Sequence, residues 1–348
     1  MIETQDYLIA LGGFISALFL FWIGKPIANK VGLVDKPGGR KQHEGAIPLI
    51  GGIVIFIVFA GTGLVADLND SFPFWALMSA VLILLIVGVI DDRSNVLPWL
   101  RFAIQIAVAI FVVVFCGAEI QNLGNLLGFG DIDLGHGAKL FSVVCLVLLM
   151  NAFNMIDGLD GLAGGFMAIV LAWLFAVFYQ GGVDNHAIAL LLLFTPLMMF
   201  LLLNMRHPLR KKASVFLGDA GSLSLALLLG FFVMTAGKES GGQSLVPPVT
   251  IMWFVGLPVI DAFSIFFTRL KNGRHPFQAD RLHLHYQLVD RGFSAGQATA
   301  LLLALTFIFC LIGYSAAVTN IPEYIYAYSW SSLLLGYTAY NLRQYKQI

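Results

Sequence analysis

The chain has 348 residues, of which 59% are hydrophobic and 11% charged, against about 45–50% and about 25% in soluble globular domains. With a mean hydropathy of +0.85 it has too little polar surface to coat a soluble globule, and its 29 Phe residues exclude a disordered chain. Its 20 basic and 20 acidic residues cancel, so no general attraction to nucleic acid is expected.

The fold class expected is all-α: a polytopic integral membrane protein, with 1–348 forming a single transmembrane domain. A membrane-spanning helix needs about 20 mostly apolar residues. By that measure the sequence predicts eleven spans, over 6–26, 47–66, 72–90, 98–117, 138–154, 161–179, 186–204, 214–236, 247–268, 296–318 and 323–342. Glu3 and Asp6 precede the first run and Lys25 and Lys30 follow it, which describes an uncleaved span rather than a removable signal. The segment 118–137 is turn-rich, and a small external hairpin fits it. Cys116, Cys145 and Cys310 are widely spaced inside apolar runs. Their odd number and the lack of a C-x-x-C pair make them small core hydrophobes rather than a disulfide or zinc framework.

The connections alternate in charge. The odd-numbered ones are long or basic: Lys25 to Lys41, Arg93, Arg206 to Lys212, and Arg269 to Arg291. The even-numbered ones are short or acidic. Lysine and arginine set the orientation of a membrane chain. An N-terminus outside leaves only Lys139 and Lys238 of the 20 basic residues at the outer face and puts the C-terminus in the cytoplasm.

Ionisable groups within or beside spans mark functional sites, because each costs about 2.5–3.5 kcal/mol at mid-depth. Here they gather at one face. Asp91 and Asp92 end the third span; Asn154, Asp157 and Asp160 end the fifth; Asp219 begins the eighth; Asp261 lies in the cytoplasmic third of the ninth; His283 and His285 lie in the last long loop. Spacings of three place Asn154, Asp157 and Asp160 on one side of a helix. Around Asp219, Gly218 and Gly221 would let backbone approach a phosphate while the carboxylate faces a metal. Carboxylates with Arg, Lys and His nearby suit a Mg²⁺–diphosphate substrate, Mg²⁺ taking one or two carboxylates and phosphate oxygens. A zinc site at His283-Leu-His285 lacks a third ligand at a sensible spacing.

Several stretches together carry a resemblance: Val31-Gly-Leu-Val-Asp-Lys-Pro37, Arg40-Lys-Gln-His43, Ile47-Pro-Leu-Ile-Gly-Gly52, Asp91-Asp-Arg93, Asn151-Ala-Phe-Asn-Met-Ile-Asp-Gly-Leu-Asp-Gly161, Phe216-Leu-Gly-Asp-Ala-Gly-Ser222 and Pro276-Phe-Gln-Ala-Asp-Arg-Leu-His-Leu-His285. In this order, over nearly the whole chain, they resemble the polyprenyl-phosphate N-acetylhexosamine-1-phosphate transferases. The branch most alike uses undecaprenyl phosphate and UDP-N-acetylglucosamine in the first membrane step of O-antigen or enterobacterial common antigen synthesis. The resemblance implies a multi-pass enzyme of the bacterial inner membrane, with membrane lipid and a second copy of the chain as further candidate partners. Mg²⁺ is the implied cofactor, Mn²⁺ its candidate substitute, with Asp219 and Asn154 as ligands. It further implies Phe216 stacking on uracil, Asp157 and Asp160 near the nucleotide, and Asp91 or Asp92 orienting or deprotonating the lipid phosphate. Lys41, Arg101, Arg281, His283 and His285 would hold diphosphate. Relatives usually carry a third histidine where this chain has Tyr286. Donors of the fucosamine or quinovosamine type and, remotely, a secondary transporter are the alternatives.

Overall fold

In hydrocarbon no water satisfies backbone N–H and C=O groups, so apolar runs of this length fold as helices. The computed structural model describes residues 2–36, 45–70, 72–94, 96–208, 210–238, 244–275 and 281–345. The helices, in chain order, are α1 (Thr4–Val31), α2 (Gly51–Val65), α3 (Phe74–Ser94), α4 (Pro98–Phe115), α5 (Ala138–Ile156), α6 (Leu162–Gln180) and α7 (Asp184–Asn204). They continue with α8 (Gly218–Ala236), α9 (Pro248–Phe254), α10 (Gly256–Lys271), α11 (Leu284–Asp290), α12 (Ala295–Val318) and α13 (Glu323–Tyr345). The chain is thus a mostly helical, multi-pass membrane protein.

Among the described residues, eight helices are long and apolar enough to cross a membrane, and nine if α9 and α10 count as one bent span. That is fewer than the eleven predicted spans. Helix α2 has 15 residues, short of the about 20 a crossing needs, and the Tyr- and Ser-rich α13 is outside the group. The ninth predicted run is broken, its halves meeting at 74°. Pro258 has no N–H to continue the helical ladder into α10, so the break falls four residues before it, at the end of α9.

Helix α8 forms the centre of the bundle and is buried along almost its whole length against α2, α3 and α5. Glycines allow this. A Cβ on Gly52 would land on the backbone of Gly221, and one on Gly88 on the backbone of Ala220. A short antiparallel pair, β1 (Val34–Asp35) with β2 (Ile47–Pro48), precedes α2. Beyond it the chain zips onto the entry to α8: Phe216 N donates to Pro48 O at 2.8 Å, and Gly51 N to Phe216 O at 2.9 Å. The 118–137 segment does form a hairpin-like turn, with Leu123 N donating to Ile132 O and Ile132 N to Gly124 O. All three cysteines are free, two of them buried.

Candidate active site

The titratable groups converge on one cleft of about 1090 Å³. Asp91, Asp92, Arg101, Asn154, Asp157, Asp160, Phe216, Asp219, Arg281 and His283 all line it. Lys41 and the stretches around it and at 276–280 fall outside the described residues. The helical-spacing argument holds only in part. Helix α5 stops at Ile156, with Asp157 at its C-cap, and Gly161 turns the following loop with φ of 81°. Asn154 therefore reaches the cleft from a helix, and Asp157 and Asp160 from a loop. That loop is pinned by Asn204, whose Oδ1 accepts from Gly161 N at 2.7 Å while its amide donates to Val215 O at 2.9 Å.

Asp219 and Asn154 meet directly: Asn154 Nδ2 donates to Asp219 Oδ1 at 2.8 Å and to Ser222 Oγ at 2.7 Å. Arg101 bridges Asp91 and Asp219, at 3.2 Å from the latter, so its charge already engages two carboxylates. Asp91 also accepts from Val96 N at 2.7 Å. The neighbouring Asp92 turns the other way and caps α8, its Oδ1 accepting from Asp219 N at 3.0 Å and its Oδ2 facing Ala220 N at 3.5 Å. Gly218, with φ of 74°, lets the backbone at this helix start come close to the Asp92 carboxylate. Negative charge at a helix N-terminus is favourable. The Asp157 side chain is exposed to the cleft, between its crowded walls. Desolvation there, and then the charges of Asp219, Asp92 and Asp160, push its carboxyl up to about 7.

On the opposite wall, His283 is the N-cap of α11 and donates through Nδ1 to Asp261 Oδ2 at 2.7 Å. Arg281 pairs with Asp290 at 2.7 Å and lies over the ring of Tyr286, which also faces the cleft. His285 is placed differently from its expectation. It is 2% exposed, does not line the cleft, and turns an unpartnered Nε2 against Gly158. Burial pushes its imidazole down to about 4, with His283 and Arg281 adding to that and Asp261 opposing it. The structure thus places it in packing against Gly158 rather than on the cleft wall.

Nearly the whole chain has counterparts among known proteins. Residues 74–237 match the sequence profile described as glycosyl transferase family 4. The undecaprenyl-phosphate alpha-N-acetylglucosaminyl 1-phosphate transferase of Escherichia coli K12 is 34% identical over 335 residues, covering 95% of this chain and 87% of that one. Its namesake in Yersinia pestis is 31% identical over 328 residues, 93% and 88% of the two chains. That of Haemophilus influenzae is 33% identical over 311 residues, 89% and 87%. The chain belongs to glycosyl transferase family 4. It is a phosphotransferase, which displaces the transporter alternative.

Within this family 4 chain, the residues the sequence reading left without a role are mostly those that hold others. Asn204 and Asn151 are polar positions inside apolar runs, a signal that was present. Asn151 donates to the buried Gln105 at 2.7 Å and so ties α5 to α4 behind the carboxylates. Arg206 had appeared only as orienting charge. Its Nε contacts Asp160 Oδ2 at 2.7 Å on the cleft wall.

Proposed function

We propose that the chain transfers N-acetylglucosamine 1-phosphate from UDP-N-acetylglucosamine to undecaprenyl phosphate, giving undecaprenyl-diphospho-N-acetylglucosamine and UMP. The observation that carries this reading is the convergence, on one cleft, of Asp91, Asp92, Asp157 and Asp219 with Asn154, Arg281 and His283. The relatives' shared name supports undecaprenyl phosphate as acceptor and N-acetylglucosaminyl 1-phosphate as the group transferred. At about 1090 Å³ the cleft is at the large end of ligand pockets, with room for a nucleotide sugar. Under this reading the site faces the cytoplasm of the bacterial inner membrane, in an eleven-span chain with its N-terminus outside, and serves O-antigen, enterobacterial common antigen or a similar surface polysaccharide.

The donor set fits Mg²⁺. Among the described residues no group of three or more His, Cys, Asp or Glu is arranged as a metal site, but Mg²⁺ needs one or two protein oxygens and completes its shell with water and phosphate. Asp219 and the carbonyl oxygen of Asn154 would hold it, where the carboxylates crowd. Bound there, the ion would neutralise charge on the diphosphate. The remaining work is positioning, the main demand of phosphoryl transfer. A lipid phosphate oxygen attacks the sugar-linked phosphorus, the bond to the bridging oxygen breaks, and UMP leaves with that oxygen. A phosphate monoester has its second pKa near about 6 and needs no strong base. That agrees with Asp91 and Asp92 both being hydrogen-bonded: Asp91 orients Arg101, and Asp92 sets the start of α8. Phe216, fixed by backbone bonds on both sides, offers its ring to uracil, and the Arg206–Asp160 pair borders the base.

The test is UMP release by purified protein given undecaprenyl phosphate, Mg²⁺ and a panel of UDP-N-acetylhexosamines. UDP-N-acetylglucosamine should be turned over, and Asp219→Asn should lower kcat by at least about 100-fold in a folded protein. Turnover of a fucosamine- or quinovosamine-type donor alone would replace the sugar assignment. Near-wild-type rates for Asp219→Asn at low Mg²⁺ would remove the ligand assignment.

A further inference from the structure

Behind His283 lies a buried polar circuit that joins three helices. Asp261 on α10 is 3% exposed and is not part of the cleft wall. Its Oδ2 meets His283 Nδ1 at 2.7 Å, while its Oδ1 accepts from Leu284 N at 2.9 Å and from the Tyr337 hydroxyl at 3.0 Å. Tyr337 belongs to α13. The same helix supplies Asn341, whose amide donates to Ser264 Oγ of α10 at 2.7 Å. Gln287 of α11 closes the circuit, donating to Asn341 Oδ1 at 2.8 Å and to Tyr337 at 3.2 Å. A carboxylate holding three donors and bordering only a cavity of about 10 Å³ does not touch substrate. It acts on what it holds.

We propose that Asp261 is a positioning residue for His283, itself held by Tyr337 of α13, so that the imidazole keeps one ring orientation and presents Nε2 to the diphosphate. A histidine whose one nitrogen is held by a carboxylate has its ring orientation and tautomer fixed and its basicity raised. The inference rests on the transferase reading above for what His283 grips, but not for how it is held. A purely structural pair is the alternative, since a buried ion pair is weak evidence of purpose.

The two roles differ in sign. The groups around His283 are Asp261 of α10, Tyr337 of α13, the stacked His285 ring at 5.7 Å, and Arg269, Arg281 and Tyr286 on the same cleft wall. Turnover that needs protonated His283 falls as pH rises through its pKa. Asp261→Asn removes the charge that favours protonation and should move that alkaline limb down by about one unit or more, with kcat/KM reduced roughly 10–100-fold. Tyr337→Phe removes a competing donor, leaves more of the carboxylate's charge on His283, and should move the limb up by a smaller amount. The second readout needs no turnover: the pH dependence of carbethoxylation at His283 by diethyl pyrocarbonate, followed by peptide mass spectrometry in the full-length protein. It should shift in the same opposite directions. Unshifted His283 titration in a folded Asp261→Asn protein overturns the inference. If that variant does not fold, Tyr337→Phe decides, an upward shift supporting and no shift overturning it. Wild-type protein that releases no UMP overturns the transferase reading instead, while the carbethoxylation profile still tests this one.

Discussion

Asp91, Asp92, Asp157 and Asp219 are four of the six carboxylates that line one cleft; Asp160 is paired with Arg206, and the physical question at this scale is what balances the four. Arg101 serves Asp91 and Asp219, and the start of α8 serves Asp92. Asp157 is left facing the charges of the others, and its carboxyl is pushed up to about 7. A carboxyl whose folded pKa is raised binds its proton more tightly in the native state. Its contribution to stability is full below the unfolded value of 3.8 and is lost as pH rises through about 7. Asp157→Asn should therefore raise the thermal midpoint at pH 8 by about 2 °C in chelator, and the gain should vanish near pH 4. Saturating Mg²⁺ should shrink the pH 8 difference, because a cation in the cleft relieves the same repulsion in the wild type. Thermal unfolding in detergent at the two pH values, with chelator or Mg²⁺, decides. An equal gain at both would show that repulsion is not the cause.

At the scale of elements, the site depends on how closely α8 is drawn to α2 and α3. Gly52 and Gly88 stand where any side chain would meet the backbone of Gly221 and Ala220, and backbone cannot rotate away as a side chain can. Gly52→Ala or Gly88→Ala should each cost about 1–3 kcal/mol and displace the start of α8. Transfer should fall by more than the folded fraction does, measured as activity per folded molecule. By contrast Gly61→Ala, on α2 but facing open space, should change neither. An undiminished specific activity in Gly88→Ala would mean that Asp92 and Asp219 keep their geometry without the close contact. This is also where sequence stopped being legible. Apolar runs show where helices lie, and the acidic ends of those runs showed which groups gather. Asp92 and Asp219 are 127 residues apart, and no local spacing says that one carboxylate will cap the helix bearing the other. Nor did spacing say that His285 would turn inward while His283, two residues before it, faces the cleft. The break at Val255 follows from Pro258, a residue that a count of apolar length does not register.

For the whole molecule the open question is which way the bundle sits, since a cleft for a nucleotide sugar must face the compartment that holds one. Lysine and arginine favour one orientation: with the cleft inward, only Lys139 and Lys238 of 20 basic residues lie outside, and inner loops carry the positive excess. Two positions at opposite ends test this without disturbing the fold. Gly137 precedes α5, has φ of −80°, and would place a new Cβ in open space, so a cysteine there is tolerated and reachable. Lys211 is exposed in the segment between α7 and α8, on the side of Arg206 and the cleft. In a background with Cys116, Cys145 and Cys310 replaced by serine or alanine and transfer retained, Gly137→Cys should react with a membrane-impermeant maleimide in intact spheroplasts. Lys211→Cys should react only after lysis. The native cysteines are buried or half-buried, so residual labelling of the background should be slight. The reverse pattern would turn the bundle over, place the cleft outside, and deny it the cytoplasmic nucleotide sugar on which the proposed reaction depends.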